Sequence, residues 1–359
     1  MGCEMTKRDS GADRVRLRPP ATQGASAGAK LLPRDNMVLP EVSLDDIDRV
    51  LIEYLLQDGK MSNRVLAAHA GISESAVSIR LRKLVASGAI IFTALIDWEE
   101  AGFDWFVIAR IKTQARSPRD VATDVSQIEQ CEAVAVCLGS HDVIAYFLVK
   151  DRVELHQLTN DDLPAIRGIS EMSIDLATET WVTENGRRLF LARAAPPIRL
   201  PAPKVELDDL DIAILQDLID DGRQSSRKIA RSHDVSEGTI RTRLARLTQA
   251  GLVRVVAMVE PVALGLAGVI ACVSLRANRA SLSSIKKELA TMPELVFMAV
   301  CVGSADLNLT LTAADPQQAI ELIATQIQTI EGVLATDTIV MVDVIRFSPY
   351  MKRLKTPDE

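Results

Sequence analysis

Residues 73–88, "SESAVSIRLRKLVASG", have the pattern of a capped amphipathic helix. It opens on Ser73, a residue type that caps helix N-termini, and it closes on Gly88, which suits the left-handed position after a helix. Apolar residues recur between them at helical spacing, which predicts a helix with one buried face. The pattern returns at residues 236–251 as "SEGTIRTRLARLTQAG", so the chain carries this helix twice.

The repeat extends far beyond this helix. A shift of 163 positions aligns residues 44–88 with residues 207–251, and 16 of the 45 pairs are identical. After one inserted residue, the register continues with residues 135–149 over residues 299–313. Each copy is about 145 residues long, which exceeds the period of common solenoid repeats. The sequence therefore predicts duplication of a whole two-domain unit.

The first half of each copy predicts three short helices. Ser43 and Asp46 have the spacing of a capping box before the first helix. Gly59 and Gly222 are predicted to end the first helix of their copies. A tight turn then leads to the third helix, and this order is typical of a helix-turn-helix domain. In such a domain the third helix enters the DNA major groove.

The distribution of charge supports contact with double-stranded DNA. The chain has a formal net charge of −7, which argues against indiscriminate binding of nucleic acid. Residues 59–91 nevertheless carry a net charge of +4, and residues 222–254 carry +6. A basic helical face is also compatible with simple solvation. The residues that we predict to contact DNA are Ser75, Ala76, Ser78, Arg80, Arg82 and Lys83 in the first copy and Gly238, Thr239, Arg241, Arg243 and Arg246 in the second.

The second half of each copy predicts the order βαββαβ, which is ferredoxin-like. Its strands are apolar on both sides, so one sheet face needs a partner, and the other copy is the natural one. The predicted fold class is α+β, with two tandem units that each join a winged or three-helix helix-turn-helix domain to a ferredoxin-like αβ-sandwich. The predicted boundaries are a disordered tail (1–40), helix-turn-helix domains (43–103 and 206–266), ferredoxin-like domains (104–192 and 267–350) and a proline-rich linker (193–205).

Several functional classes are disfavoured by composition. The five cysteines form no C-x-x-C pair, so we expect reduced thiols in a cytoplasmic protein. The four histidines lack metal-ligand spacing, so no metal site and no cofactor are predicted. No apolar run has the ~18–20 residues of a membrane helix. No catalytic residues are predicted, because no nucleophile-base-acid set or glycine-rich phosphate loop stands out.

The chain resembles the Lrp/AsnC (leucine-responsive/asparagine, or feast-famine) family of transcription regulators in a tandem form. The resemblance rests on "LDDIDRVLIEYLLQDGKMSNRVLA", "ISESAVSIRLRKLVASGAI" and the "CLGSHD" turn, and on their counterparts in the second copy. It implies sequence-specific DNA binding and a ferredoxin-like domain that dimerises and senses an amino acid or a similar small effector. The positions that match the family's effector turn are Gly139, Ser140, His141 and Asp142, and Gly303, Ser304, Ala305 and Asp306.

The turns depart from the family pattern in one respect. An aromatic residue often precedes the aspartate in the family, whereas this chain has His141 or Ala305. The two copies therefore differ at this position and need not bind the same ligand. Glycine and aspartate also suit a plain hairpin turn, so a purely structural role stays open.

The resemblance also implies how the chain assembles. We expect an intrachain pseudo-dimer that places two helix-turn-helix domains on half-sites of an imperfect palindrome, and further homo-oligomers. One alternative is a siroheme decarboxylase, an enzyme of the same architecture, although the only histidine on the relevant strands and turns is His141. Another alternative is a small-molecule sensing scaffold that does not bind DNA.

Overall fold

The computed structural model describes residues 44–183, 186, 199–259 and 267–347. The predicted tail, the predicted cap Ser43 and residues 193–198 of the predicted linker lie outside the described residues. No helix among the described residues combines the length and the apolar character needed to cross a bilayer.

Both copies show three helices, then one further strand, and then the predicted βαββαβ order. The first copy contains α1 (Asp46–Gln57), α2 (Asn63–Ala70), α3 (Glu74–Ala86), β1 (Ile90–Ile96), β2 (Trp105–Thr113), α4 (Pro118–Val125), β3 (Cys131–Gly139), β4 (Val143–Val149), α5 (Arg152–Gln157), α6 (Leu163–Ala165) and β5 (Ile169–Val182). The second copy contains α7 (Asp209–Asp220), α8 (Ser226–Ser232), α9 (Glu237–Gln249), β6 (Val253–Val259), β7 (Val269–Ala277), α10 (Leu282–Leu289), β8 (Leu295–Val302), β9 (Leu307–Ala313), α11 (Pro316–Leu322) and β10 (Val333–Phe347). Single π-helical turns follow α5 (Leu158–Asp162) and α11 (Ile323–Ile327), and a 3₁₀ turn precedes α10 (Arg279–Ser281).

The first helix of the chain is capped by a different pair from the predicted one. The cap of α1 is Asp45, not Ser43, and its partner in the capping box is Asp48, not Asp46. Asp48 N donates to Asp45 Oδ1 at 2.8 Å, and Asp45 N donates to Asp48 Oδ2 at 3.4 Å. Carboxylates serve here because they accept the same hydrogen bonds as serine and favour the positive end of the helix dipole. The start of α7 repeats the arrangement.

A two-stranded ribbon joins the two helix-turn-helix domains. Its strands β1 and β6 pair antiparallel, with Ile90 opposite Val259. Ala257 and Val259 of β6 pack in the core formed by α1, α2 and α3. Ala94 and Ile96 of β1 pack in the core formed by α7, α8 and α9. Each helical domain is therefore held by the strand that follows the other domain.

Two glycines allow this crosswise packing. The first helices end at Gln57 and Asp220. Gly59 and Gly222 come later, so the prediction that they end the helices is wrong in detail. A Cβ on Gly59 would lie 2.6 Å from Ala257 N, and one on Gly222 would lie 2.8 Å from Thr93 N. The glycines are needed because the chain approaches the ribbon backbone too closely for a side chain.

We expect the substitutions Gly59→Ala and Gly222→Ala each to lower the free energy of unfolding by about 1–3 kcal/mol, because a methyl group is forced against rigid backbone. Urea denaturation measures the change. Gly238→Ala is the matched control, since its Cβ would meet only Ser236 Oγ, at 3.6 Å. The control is expected to be neutral or to gain up to ~1 kcal/mol of helix stability. Wild-type stability in both test variants would contradict the close packing.

The two ferredoxin-like sheets form one closed barrel. The strand order is β5-β2-β4-β3 in the first copy and β10-β7-β9-β8 in the second. The edges then join, because β3 pairs with β10 and β5 pairs with β8, all antiparallel. The eight strands thus close on themselves, and the two copies of one chain form the predicted pseudo-dimer.

The barrel goes further than the predicted packing of one sheet on another. The cause is the length of β5 and β10, which have 14 and 15 residues. The first part of β5 pairs with β2 of its own sheet, and its last part pairs with β8 of the other sheet. An eight-stranded barrel has an interior that side chains can fill. The ring of Phe106 lies 5.9 Å from that of Tyr146 and 5.7 Å from that of Phe297 in this interior.

The described cysteines are buried thiols. Cys131, Cys137, Cys272 and Cys301 are all free and buried. Burial raises the pKa of Cys131 and of Cys301 to about 12 and that of Cys272 to about 11. These groups therefore stay protonated near neutral pH and are poor nucleophiles.

Candidate functional site

The predicted recognition helices α3 and α9 begin in the same way. Ser73 accepts a hydrogen bond from Ala76 N at 3.2 Å, and Ser236 accepts one from Thr239 N at 3.0 Å. These caps fix the N-terminal half of each helix, the part that a helix-turn-helix domain inserts into the major groove. Ala76 and Thr239 are half-buried.

Three of the predicted DNA-contact arginines are tied to the first helix of their own domain. Arg80 donates to Asp45 at 2.7 Å and to Asp48 at 2.9 Å. In the second copy, Arg243 pairs with Asp208 at 2.6 Å and with the buried Asp211 at 3.0 Å. Arg246 also pairs with that buried aspartate. These arginines fasten the recognition helix to the capping box of the first helix.

The electrostatics of this contact agree with the geometry. The backbone N–H of Asp48 and then the guanidinium of Arg80 hold the pKa of Asp45 below its usual value. The Arg243 hydrogen bond is the main cause of the lowered pKa of Asp208. A count of basic residues along the helix does not predict this role, because it does not show which side of the helix each residue faces. Arg80 precedes the buried Leu81 by one residue and lies beside the inner face.

The outer face of α3 carries a residue that the sequence analysis did not select. Ser75 and Arg82 are exposed, and Ile79 lies between them with 60% of its surface exposed. The spacing i, i+4, i+7 places all three opposite the buried face, so the helical period could have found Ile79. The matching positions of α9 are Gly238, Thr242 and Ala245, which are also exposed.

The remaining predicted DNA contacts divide into exposed and half-buried groups. Lys83 and Arg241 are exposed. The guanidinium of Arg82 donates to Ser78 O at 3.2 Å and stays on the exposed surface. Ser78 is half-buried, because its hydroxyl accepts from Asn63 Nδ2 at 2.8 Å on α2. Further exposed cations lie on the second helices, at Arg64, Arg227, Lys228 and Arg231.

The first predicted effector turn connects β3 to β4. Asp142 Oδ2 accepts a hydrogen bond from Thr113 N at 2.7 Å, which anchors the turn to β2. Ser140 Oγ donates to Asp337 Oδ2 at 2.6 Å. Burial, together with nearby Arg110, lowers the pKa of His141 below its usual value. His141 Nε2 is buried without a hydrogen-bond partner among the described residues.

The second turn, between β8 and β9, is anchored in the same way. Asp306 Oδ2 accepts from Ala277 N at 2.9 Å. Ala305 is buried, whereas Gly303 and Ser304 are exposed. Arg110 of β2, in the first copy, also contacts this turn, because its Nη2 donates to Ser304 Oγ at 2.7 Å. Within the part of the chain that the structure describes, no group of His, Cys, Asp and Glu side chains could hold a metal ion.

Family comparisons match both halves of each copy. A model described as winged helix-turn-helix DNA-binding matches residues 44–91 and 207–254. A model described as the Lrp/AsnC ligand binding domain matches residues 106–186 and 269–351. Together these segments cover most of both copies.

Whole proteins agree with these models. HTH-type transcriptional regulator FL11 of Pyrococcus abyssi is 32% identical over 146 residues, which are 40% of this chain and 96% of FL11. An HTH-type transcriptional regulator of Pyrococcus horikoshii is 33% identical over 142 residues, 39% of this chain and 89% of that protein. The crystal structure of the siroheme decarboxylase NirDL with an iron-uroporphyrin III analogue shares the fold, with a TM-score of 0.60 and 14% identity over 85% of this chain and 94% of NirDL. The duplicated domains and the regulator relatives show that the chain belongs to the Lrp/AsnC family of DNA-binding transcriptional regulators.

Proposed function

We propose that one chain of this regulator binds an imperfectly palindromic operator and that a small carboxylate of the amino-acid class modulates the binding. The observation that carries the proposal is the pairing of two unlike recognition helices, α3 and α9, within one pseudo-symmetric chain. The half-sites are expected about one helical turn apart, roughly 34–36 Å. In this proposal the functional units are the domains with the predicted boundaries.

The DNA contacts divide into positioning and reading groups. We assign Ser75, Arg82 and Lys83 of α3, and Gly238 and Arg241 of α9, to the DNA surface because they are exposed. We assign a positioning role to Ser78, Arg80, Arg243 and Arg246. Ala76 and Thr239 are assigned to the capped first turns, because their backbone N–H groups donate to the cap serines. Exposed arginines and lysines neutralise phosphates and so supply much of the affinity, while side chains at base edges supply the specificity.

The effector is proposed to bind at the predicted effector turns Gly139–Asp142 and Gly303–Asp306, called the sensor turns below. Backbone N–H groups in a tight glycine turn are suitable donors for a carboxylate. The barrel supports this assignment, because it brings each turn against the long strand of the other copy. A ligand at either turn would therefore touch both halves of the pseudo-dimer and could change how the two helical domains are held.

We propose that the chain acts without catalysing a reaction. NirDL shares the fold, but 14% identity carries no activity from one protein to the other. His141 lies in a turn, and the side chains that pack around Phe106, Tyr146 and Phe297 inside the barrel are aliphatic residues and cysteines. Titration with iron-uroporphyrin III is expected to produce no shifted Soret band, and a stoichiometric band would instead favour the enzyme.

The cell compartment and the assembly complete the proposal. Buried, protonated thiols suit the reducing cytoplasm, which is where we place the regulator. Leu138 and Val302 lie at matching positions beside the two turns and are 63% and 53% exposed. They give further copies of the chain an apolar surface, so we propose that chains associate into homo-oligomers.

Operator binding is tested by fluorescence anisotropy on duplexes selected from a random-sequence pool. We expect the Arg82→Ala, Arg241→Ala double variant to weaken binding and to reduce the salt slope by about 2, because two phosphate contacts are lost. Its melting temperature is expected to match that of the wild type, because both side chains are exposed.

The contrasting variant is Arg80→Ala with Arg243→Ala, which removes the ion pairs that hold the recognition helices. It is expected to lower the melting temperature. The salt slope of the protein that stays folded is expected to be closer to the wild-type slope than that of the Arg82→Ala, Arg241→Ala variant. A wild-type chain that binds no selected duplex at low salt would favour the sensing scaffold. Equal salt slopes in the wild type and the exposed-arginine variant would remove those two arginines from the interface.

A further inference from the structure

The two sensor turns have the same frame in both copies. A shift of 164 positions aligns Gly139–Asp142 with Gly303–Asp306 in the sequence. The aspartates of both turns accept a backbone hydrogen bond at the end of the neighbouring strand, at 2.7 Å in the first turn and 2.9 Å in the second. Differences in ligand binding between the turns must therefore arise from the residues that face them.

The residue that faces the second turn is an aspartate from the first copy. Asp175 of β5 is fully buried. Its Oδ1 accepts from Ser304 N at 2.6 Å, from Ala305 N at 3.0 Å and from the Ser304 hydroxyl at 2.9 Å. Its Oδ2 accepts from Asn308 Nδ2 at 3.1 Å and from Arg110 Nη2 at 3.2 Å. Five donors thus satisfy one carboxylate.

The first turn has no carboxylate at the matching position, and its nearest carboxylate, Asp337 of β10, accepts from the Ser140 hydroxyl at 2.6 Å. The position that matches Asp175 in the second copy is Ile339 of β10, opposite Gly139. A Cβ on Gly139 would lie 3.0 Å from Ile339 Cγ2, while one on Gly303 would lie 2.3 Å from Asp175 Oδ1, so the two side chains occupy matching places. Among the described residues, no backbone carbonyl accepts a hydrogen bond from Ser140 N or His141 N, which correspond to Ser304 N and Ala305 N.

Two successive backbone N–H groups that converge on one carboxylate oxygen form an anion-binding nest. We propose that Asp175 is a built-in ligand of the second turn, which it closes to effectors, and that only the first turn receives an external carboxylate. This inference rests on the proposed effector turns and adds to them a stoichiometry of one effector per chain.

Arg110 links the closed turn to the open one. It donates to Ser304 Oγ at 2.7 Å, and its other terminal nitrogen donates to Asp337 Oδ2 at 3.3 Å. The same Asp337 oxygen accepts from Ser140 Oγ at 2.6 Å in the first turn. Hydrogen bonds therefore connect Ser304 of the closed turn to Ser140 of the open turn through Arg110 and Asp337.

The first test is acetate binding to the full wild-type chain, followed through the backbone amide resonances of both turns by ¹⁵N–¹H NMR. Acetate serves as the smallest carboxylate probe, and sodium chloride at equal ionic strength is the reference. We expect saturable shifts of the Ser140 and His141 amides and none of the Ser304 and Ala305 amides. Shifts at both turns, at the second turn alone or at neither turn would each overturn the proposal.

The second test opens the closed turn. Asp175→Ala removes the carboxylate, and acetate is expected to raise its melting temperature above that in sodium chloride, with new shifts at Ser304 and Ala305. Asp175→Asn keeps an amide oxygen that can accept from Ser304 N and Ala305 N, and it is expected to show no such gain. An Asp175→Ala chain that folds and gains nothing from acetate would overturn the proposal, and if that variant does not fold, the wild-type resonances decide. Both readouts are independent of DNA, so a failure of operator binding is recognised separately.

Discussion

Replacing Arg110 with methionine is expected to lower the free energy of unfolding by about 3–5 kcal/mol, the loss typical of breaking a buried charge pair. The Arg110 side chain is 6% exposed, and that of its partner Asp175, 3.2 Å away, is 0% exposed. Methionine fills similar space, but it leaves the Asp175 carboxylate buried with one donor fewer. Asp337 and Ser304 also lose a cationic partner, so the pairing of the two sheets weakens at the point where they join.

Urea denaturation of the full chain measures this effect. Lys112→Met is the matched control, because Lys112 lies two residues further along β2 and its pair with Glu171 is exposed. Such a pair adds little, so the control is expected to unfold like the wild type. The double variant Arg110→Met, Asp175→Ile is expected to recover only part of the loss: no charge stays buried, but Ser304 N, Ala305 N and Asn308 Nδ2 lose their acceptor. A stable single variant would show that the charge pair does not hold the sheets together.

The helices and the order of the strands could be predicted because each signal occurs twice. The caps Ser73 and Ser236 and the glycines that follow α3 and α9 stand at the same distance from the same apolar pattern. Gly88 and Gly251 have φ values of 69° and 80°, the left-handed conformation expected after a helix. Local periodicity and turn chemistry suffice for such features, because they depend on residues close in sequence.

The crosswise ribbon and the closed barrel could not be predicted in the same way. A repeated pattern shows that two copies resemble each other, but it does not show which copy supplies the neighbouring strand. The one available signal was a charge inside an apolar strand, as in "FVIARIKT" with Arg110 and "SIDLAT" with Asp175. A buried charge requires a partner, so these residues could have been predicted to meet. Their meeting across the copies follows only from the fold.

The operator is expected to be read by different chemistry in its two halves. Ile79 is exposed on the outer face of α3, where an apolar side chain can contact the methyl group of thymine. The matching residue of α9 is Thr242, whose hydroxyl can donate to or accept from a base edge. We therefore expect selection from a random pool to yield a consensus with thymine facing Ile79 in one half-site and a different base in the other.

Ile79→Ser is expected to remove that preference, with a loss of about 1–3 kcal/mol of discrimination, or roughly 5- to 150-fold, at one base pair. Competition anisotropy with duplexes that differ at that pair measures it. Val85→Ser is the matched control, because Val85 is 44% exposed on the same helix but lies in its last turn, away from the half that enters the groove. The control is expected to keep the wild-type preference. If Ile79→Ser weakens binding equally for all four base pairs, then Ile79 contributes contact area and not specificity.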